Sequence, residues 1–298
     1  VILLVALVAL LVWIPVYFVV KAYAPVSVED VRALHVLTGV PTTPRSDRLF
    51  EAYLSRARRY RTSWSVVGWL SGLIFTFTVG NNRVGFGPGA RATDLLLLGL
   101  GGYLLGAIVS EIHHLRRPRV LPTVRTPPPV RRWGERPRVA SLRPRRLDDY
   151  ATRTERRLMR LMLVVTLGLG IAGVVEDRPA AVIVTVIAVA AWAIVERTQR
   201  AVVFRPRPAM SDDLAAADDG IRAMAVKGLS YGGAAFIALL GAYAASIIGR
   251  DSVWDNEFVS VLLAIAGLAL FLLTIAFALR ARRFVWPQRK LQVDGVRA

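Results

Sequence analysis

The chain has no cysteine, three histidines and only three lysines, Lys21, Lys227 and Lys290. The first absence excludes a disulfide, a thiol nucleophile and a Cys-ligated metal. It says nothing about compartment. The scarcity of lysine leaves 36 of the 39 basic residues as arginine. With the richness in Ala, Val, Gly and Pro, that bias fits a GC-rich bacterial genome, so it is not read as a device for bidentate phosphate recognition. G-x-S-x-G and P-loop motifs are also missing. Gly85-Phe86-Gly87-Pro88-Gly89 lacks the lysine and the strand–helix setting of a phosphate loop and reads as an outer turn. Its Phe86, like Trp254, suits an interfacial aromatic belt.

Charge is missing where it would be most informative. Apolar runs occupy residues 1–20, 63–80, 94–110, 161–175, 180–195, 229–248 and 258–279, and none holds an ionisable group in its interior. Glu111, Glu176, Asp177 and Glu196 sit at ends. Intramembrane ionisable groups mark proton relays and ion paths, so a proton- or cation-coupled transporter is disfavoured. The polar residues within the runs, such as Ser71, Thr76, Tyr103, Thr166, Trp192, Tyr231 and Tyr243, are neutral. Hydroxyls there are expected to bond their own helix or a neighbouring one.

What is present is segregated into blocks. The 298 residues are 54% apolar, yet the net charge is +18. A bilayer crossing takes about 20 apolar residues at about 1.5 Å each. Residues 1–20 fit one crossing and read as an uncleaved anchor. No positive segment precedes them, and Pro25 would follow a cut at Ala22-Tyr23-Ala24.

The expected fold is an all-α integral membrane protein with seven transmembrane helices, one N-terminal anchor plus three helical hairpins. The anchor (1–20) leads to a cytoplasmic helical segment (21–62) and a first hairpin (63–112). An Arg/Pro-rich linker and helix (113–160) precede the second hairpin (161–195), whose arms are joined by the tight turn Glu176-Asp177-Arg178-Pro179. A cytoplasmic segment with a capped helix (196–228), a third hairpin (229–279) and a basic tail (280–298) complete the chain. Short amphipathic helices are expected between spans. One runs from Ser27 to Leu37, with Ser27 and Asp30 as a capping pair and Gly39 and Pro41 closing it. Others start at Ser46-Asp47, at Asp148-Asp149 and at Ser211. These three acidic starts, each followed by basic residues before an apolar run and later by a basic segment stopping at proline, suggest a weak triplicated hairpin repeat.

Lys and Arg are distributed unevenly. Segments 21–62, 113–160, 196–228 and 279–298 hold 35 of them, and the other connections hold 4. The positive-inside rule then puts the former in the cytoplasm, with the N-terminus outside and the C-terminus inside a plasma membrane.

Small residues recur at helical spacing. Gly68-xxx-Gly72, Gly102-xxx-Gly106 and Gly228-xxx-Gly232 match GxxxG, with Gly168-xxx-Ala172 a looser case. Glycines four apart share a helix face and let backbones approach. These contacts are expected within the chain, with homo-oligomerisation as the minority alternative.

Candidate chemistry is sparse. Glu111, His113 and His114 cannot converge on one ion from a single helix, because adjacent side chains diverge by about 100°. No metal or cofactor is therefore expected. Asp212, Asp213, Asp218 and Asp219 form the densest acidic group, and such loops can hold Mg²⁺ against a diphosphate. Asp219-Gly220 followed by Arg222 resembles a fragment of the CDP-alcohol phosphotransferase motif. The later pair of aspartates is missing, Tyr231, Gly232 and Gly233 stand nearby instead, and the chain is not assigned to that family. Acids in the first turns of a helix are accounted for by its dipole and capping, so their replacement by Asn is expected to cost only modest stability.

One stretch rises above this background. Residues 115–146 carry Arg116, Arg117, Arg119, Arg125, Arg131, Arg132, Arg136, Arg138, Arg143, Arg145 and Arg146 against a single acid, Glu135. Prolines keep the stretch extended, so the arginines can spread along anionic inner-leaflet lipid or a soluble protein partner. Trp133 is its only aromatic residue, which argues against nucleic acid. The leading expectation is a non-catalytic scaffold or accessory subunit. A transporter component for a neutral or lipid-like solute comes second, and an enzyme acting on a lipid-linked substrate third.

The lack of cysteine makes sidedness directly testable. Arg131→Cys should be labelled by an impermeant maleimide only from the cytoplasmic side of sealed vesicles. Labelling from outside would invert the topology.

Overall fold

The computed structural model describes residue 17 and residues 19–20, 22–79, 88–116, 146–205, 212–250 and 257–282. Most of the expected anchor, most of the Arg/Pro linker and the basic tail lie outside these residues. The described residues form seven α-helices and no strand. In chain order these are α1 (Val28–Thr38), α2 (Pro44–Val79), α3 (Pro88–Arg116), α4 (Arg153–Val175), α5 (Pro179–Phe204), α6 (Asp212–Arg250) and α7 (Glu257–Arg282). A single 3₁₀ turn at Leu147–Asp149 precedes α4. Three helices are long and apolar enough to cross a membrane: Arg153–Val175, Pro179–Phe204 and Leu214–Gly249. Two further apolar helical stretches, Leu98–His113 and Val261–Phe277, are shorter.

Local chemistry sets the helix limits. At α1 the Ser27 hydroxyl accepts the Asp30 N–H at 3.1 Å, and Gly39 closes the helix with φ at +65°. That left-handed conformation is easy only without a Cβ. α2 begins earlier than Ser46-Asp47 suggested. Thr43 and Ser46 cap each other reciprocally at 3.0 and 3.1 Å, with Pro44 in the first turn, where its missing N–H costs nothing.

The helix expected from Asp148-Asp149 is interrupted. Those residues form the 3₁₀ turn, and α4 starts only after Thr152, whose hydroxyl accepts from the Glu155 N–H while Glu155 accepts from the Thr152 N–H. A reciprocal Thr/Glu box satisfies two orphan donors at once and outcompetes the isolated acids upstream.

The α4–α5 turn is as tight as its sequence implied. Asp177 takes φ +52°, the Arg178 N–H reaches back to Gly173 O at 2.7 Å, and the Asp177 N–H reaches Val174 O at 3.2 Å. This is the Schellman pattern of capping, and Pro179 then opens α5.

α6 is the centre of the bundle, packed by α2, α3, α4, α5 and α7. Beyond Lys227 it is apolar on every side up to Arg250, as suits a helix surrounded by other helices. Its contact positions are repeatedly alanine, including Ala225, Ala234, Ala235, Ala238, Ala244 and Ala245, all buried. Small side chains let several neighbours approach one axis. α4, α5 and α7 instead keep large apolar residues exposed on their outer faces, such as Val164, Ile171, Ile183, Val186, Ile265 and Leu268. An apolar band of that kind fits a hydrocarbon surround. Buried hydroxyls obey the expectation for low dielectric. Thr166 and Thr274 bond Met162 O and Leu270 O on their own helices at 2.9 Å, with carbonyls of α6 (Ile237 O and Ala235 O) as second acceptors.

The glycines divide into two groups. A Cβ on Gly68 would run into Leu98 O, and one on Gly102 into Trp64 O. Gly106 similarly faces Tyr60 O at 2.5 Å. These positions bring the backbones of α2 and α3 into direct contact, and Gly72 is buried on the same helix. Gly228 and Gly232 do something different. Their nearest neighbours would be the Arg61 guanidinium and the Leu104 side chain, each at 3.5 Å, so they leave room for side chains without seating a backbone.

Two substitutions separate tight glycine from incidental glycine. Gly102→Ala should lower stability by about 1–3 kcal/mol, the usual cost of overpacking. Gly168→Ala, where a Cβ meets nothing within 4 Å, should be neutral or stabilising by up to about 1 kcal/mol through helix propensity. Unfolding midpoints in mild detergent would distinguish them.

Candidate functional site

The functional candidates gather where the basic ends of the helices meet: the start of α2, the end of α3, the start of α4, the end of α5 and the start of α6. α1 and the first half of α2 pack on the start of α6 through Leu34, Phe50, Ala57, Ala217, Ile221 and Met224. The 3₁₀ turn packs beside them, with Ala151 against Val202, Val203, Ala225 and Val226. This layer holds most of the described ion pairs.

Its deepest element is Arg222, a large side chain with no exposure. Asp218, one turn earlier on α6, is equally buried and accepts from Arg222 Nε at 2.9 Å, with Nη2 at 2.8 Å. Arg222 Nη1 faces the end of α5, donating to Arg205 O at 2.7 Å and Val203 O at 3.0 Å. Arg205 Nη2 returns to Asp218 Oδ1 at 2.7 Å. A guanidinium thus neutralises one carboxylate and satisfies the orphan carbonyls at a helix C-terminus, the end that attracts positive charge. Asp219 accepts from the Tyr150 hydroxyl at 3.0 Å.

These contacts revise the expectation for the acidic group. Asp218 is not a first-turn acid explained by the helix dipole but half of a buried ion pair, and both Asp218 and Asp219 are engaged within the chain. Of Asp212 and Asp213 only the backbone is described. Among the described residues no group of three His, Asp or Glu side chains could hold a metal ion.

A second cluster joins α2 to α3. Glu111 sits at the end of an apolar run, and there it is 1% exposed and accepts from the Tyr53 hydroxyl at 3.1 Å. Arg61 lies over the Tyr103 ring at 5.9 Å, in the space that Gly228 leaves. Burial, reinforced by the charge of Glu111, pushes the Tyr53 phenol well above its ordinary range. Tyr53 therefore stays a hydrogen-bond donor at any physiological pH. On α4, Glu155 adds Lys227 at 3.8 Å to its capping role. On α1, buried His35 joins Val40 O at 3.0 Å to Asp47 at 2.6 Å, tying α1 to α2.

Outside these clusters lies a groove of about 300 Å³ lined by Ala52, Ser55, Arg56, Arg59, Tyr60 and His113. The α2 positions recur three or four apart and so share one face. The Tyr60 and His113 rings meet at 5.6 Å across the α2–α3 junction. Arg59 also stands 5.3 Å over the Tyr23 ring. His113 is half-buried beside Tyr60.

Of the linker arginines, Arg117, Arg119, Arg125, Arg131, Arg132, Arg136, Arg138, Arg143 and Arg145 lie outside the described residues. Arg116 ends α3. Arg146 is exposed, and its N–H donates to Asp149 at 2.9 Å. No family model, curated protein or solved structure matches the chain.

The two adjacent aspartates should behave differently. Asp218→Asn leaves Arg222 buried without its counter-charge and should cost about 3 kcal/mol or more. Asp219→Asn keeps an acceptor oxygen for the Tyr150 hydroxyl and loses only the charge, so it should cost about 1 kcal/mol or less. Equal effects in denaturant titrations would contradict the ion-pair assignment.

Proposed function

We propose that the chain is an integral scaffold or accessory subunit of a bacterial plasma membrane, whose basic cytoplasmic face holds anionic lipid and docks a soluble partner. Seven crossings carry it, with the N-terminus outside and the C-terminus inside. The observation that carries this reading is the meeting of the arginine-rich helix ends in one polar layer, beside helices whose outer faces are apolar. Such a layer belongs at a headgroup surface, where each basic residue contributes about 1 kcal/mol of attraction to anionic lipid. The Arg/Pro linker extends that surface. Engagement of Asp218 by Arg222 and of Asp219 by Tyr150 favours a structural role for these acids over a Mg²⁺-dependent catalytic one.

A peptide of residues 115–146 tests the lipid half of the proposal. It should bind vesicles containing phosphatidylglycerol, ignore neutral phosphatidylcholine vesicles, and release near 1 M salt, where the screening length is about 3 Å. Binding indifferent to lipid charge and to salt would refute it.

A further inference from the structure

We infer that the Arg56/Arg59/Tyr60/His113 groove is a seat for the phosphate of one anionic phospholipid. The inference rests on the proposed lipid-facing role and assigns it a discrete site apart from the linker.

The groove has the position such a site needs. Tyr60 stands three residues before the charge-free run that begins at Ser63, and His113 closes the apolar stretch Leu98–His113. Both walls therefore lie where apolar helix gives way to charge. Toward the apolar side, α2 exposes Val67, Leu70 and Ile74, and α3 exposes Leu105 and Ile112. A molecule resting here meets cations at one end and bare hydrocarbon at the other. Lipid satisfies both, whereas free phosphate uses only the first.

The chemistry of the lining agrees. Two guanidiniums supply forked donors suited to phosphate oxygens. The Tyr60 hydroxyl and the His113 imidazole add further polar groups to the lining. Arg56 also lies in the field of buried Glu111, so part of its charge is answered from within. Arg59 is exposed, with the face of Tyr23 beside it. The acid nearest in sequence, Glu51, is exposed and does not line the groove. About 300 Å³ accommodates a glycerophosphate headgroup while leaving the acyl chains outside.

The test uses the full chain, purified and delipidated in mild detergent. Phosphatidylglycerol, phosphatidylcholine and inorganic phosphate are titrated separately, with bound lipid counted by native mass spectrometry and thermal midpoint read in parallel. The wild type should retain one phosphatidylglycerol in preference to phosphatidylcholine. Arg56→Gln combined with Arg59→Gln should weaken that binding at least tenfold, whereas Gly168→Ala, on α4 where a Cβ meets nothing within 4 Å, should leave it intact. Ala52→Glu, at an exposed position that tolerates a longer side chain, should abolish binding with the helix preserved by circular dichroism. Unchanged lipid retention in both groove variants would overturn the groove assignment, and a phosphatidylglycerol preference kept in those variants would leave the broader lipid role standing. Inorganic phosphate binding as well as the lipid would overturn the lipid source. No preference for phosphatidylglycerol in any form would remove both the groove and the lipid role.

Discussion

Arg222 is cut off from solvent, and a guanidinium there must find oxygen around it or the surrounding packing gives way. Its charge is answered by Asp218, and its remaining donors by the carbonyls that close α5. Removing two ions from water costs several kcal/mol each before their attraction is counted, so the pair is weak evidence for net stability. What it supplies is registry. The end of α5 can sit in only one place relative to α6, because a shift of one turn would strand the guanidinium. Arg205, the residue immediately after α5, closes the same circuit.

That registry matters because α6 touches every other long helix. Its alanine-lined surface allows close approach but offers little shape to distinguish one rotation or translation from another. Dispersion is strong across such an interface and poorly directional. The polar contacts at one end therefore fix what the apolar length leaves open: Asp218 and Arg222 toward the end of α5, and Lys227 toward Glu155 of α4. In the middle, the threonines that reach α6 carbonyls add weaker marks of position. Specificity sits at the basic end and cohesion along the shaft.

Much of this was legible in the chain. Helical class, the α1 cap at Ser27, the tight turn at Asp177 and the glycine approach of α2 to α3 each depend on contacts local in sequence or on one residue type with few uses. Three of the seven runs read as spans meet the length and hydropathy of a crossing helix as described, and two more are apolar but shorter. The missed features are those in which distance along the chain hides proximity. Asp218 and Arg222 are visibly four apart, but that spacing usually describes a solvated helix face. Only the arrival of α5 and of α1 with α2 turns it into a buried pair. Glu111 misleads for the same reason, since Tyr53 lies 58 residues away. The α4 start could have been found: Thr152-Arg153-Thr154-Glu155 is a complete capping box, a stronger signal than the Asp148-Asp149 pair that drew attention away from it.

The distribution of acids explains why the basic end stays electrically exposed. Carboxylates are present in this layer, and an interleaved surface would cancel much of the arginine field. Instead Asp218, Glu111 and Glu155 are turned inward, each engaged by a cation or a hydroxyl within the fold. Asp47 is taken by His35, and Asp30 by Arg58 at 3.0 Å. Partial burial would raise the Asp30 carboxyl, but the Ser27 hydrogen bonds and the Arg58 charge outweigh it and hold the group below its usual value. Asp30 therefore remains ionised and paired above that range, and the pairing is lost only as pH falls through the lowered value. Negative charge is spent on holding helices together, and positive charge is left over on the outside. Among the described residues, exposed arginines such as Arg59 and Arg146 are therefore available to an anionic surface.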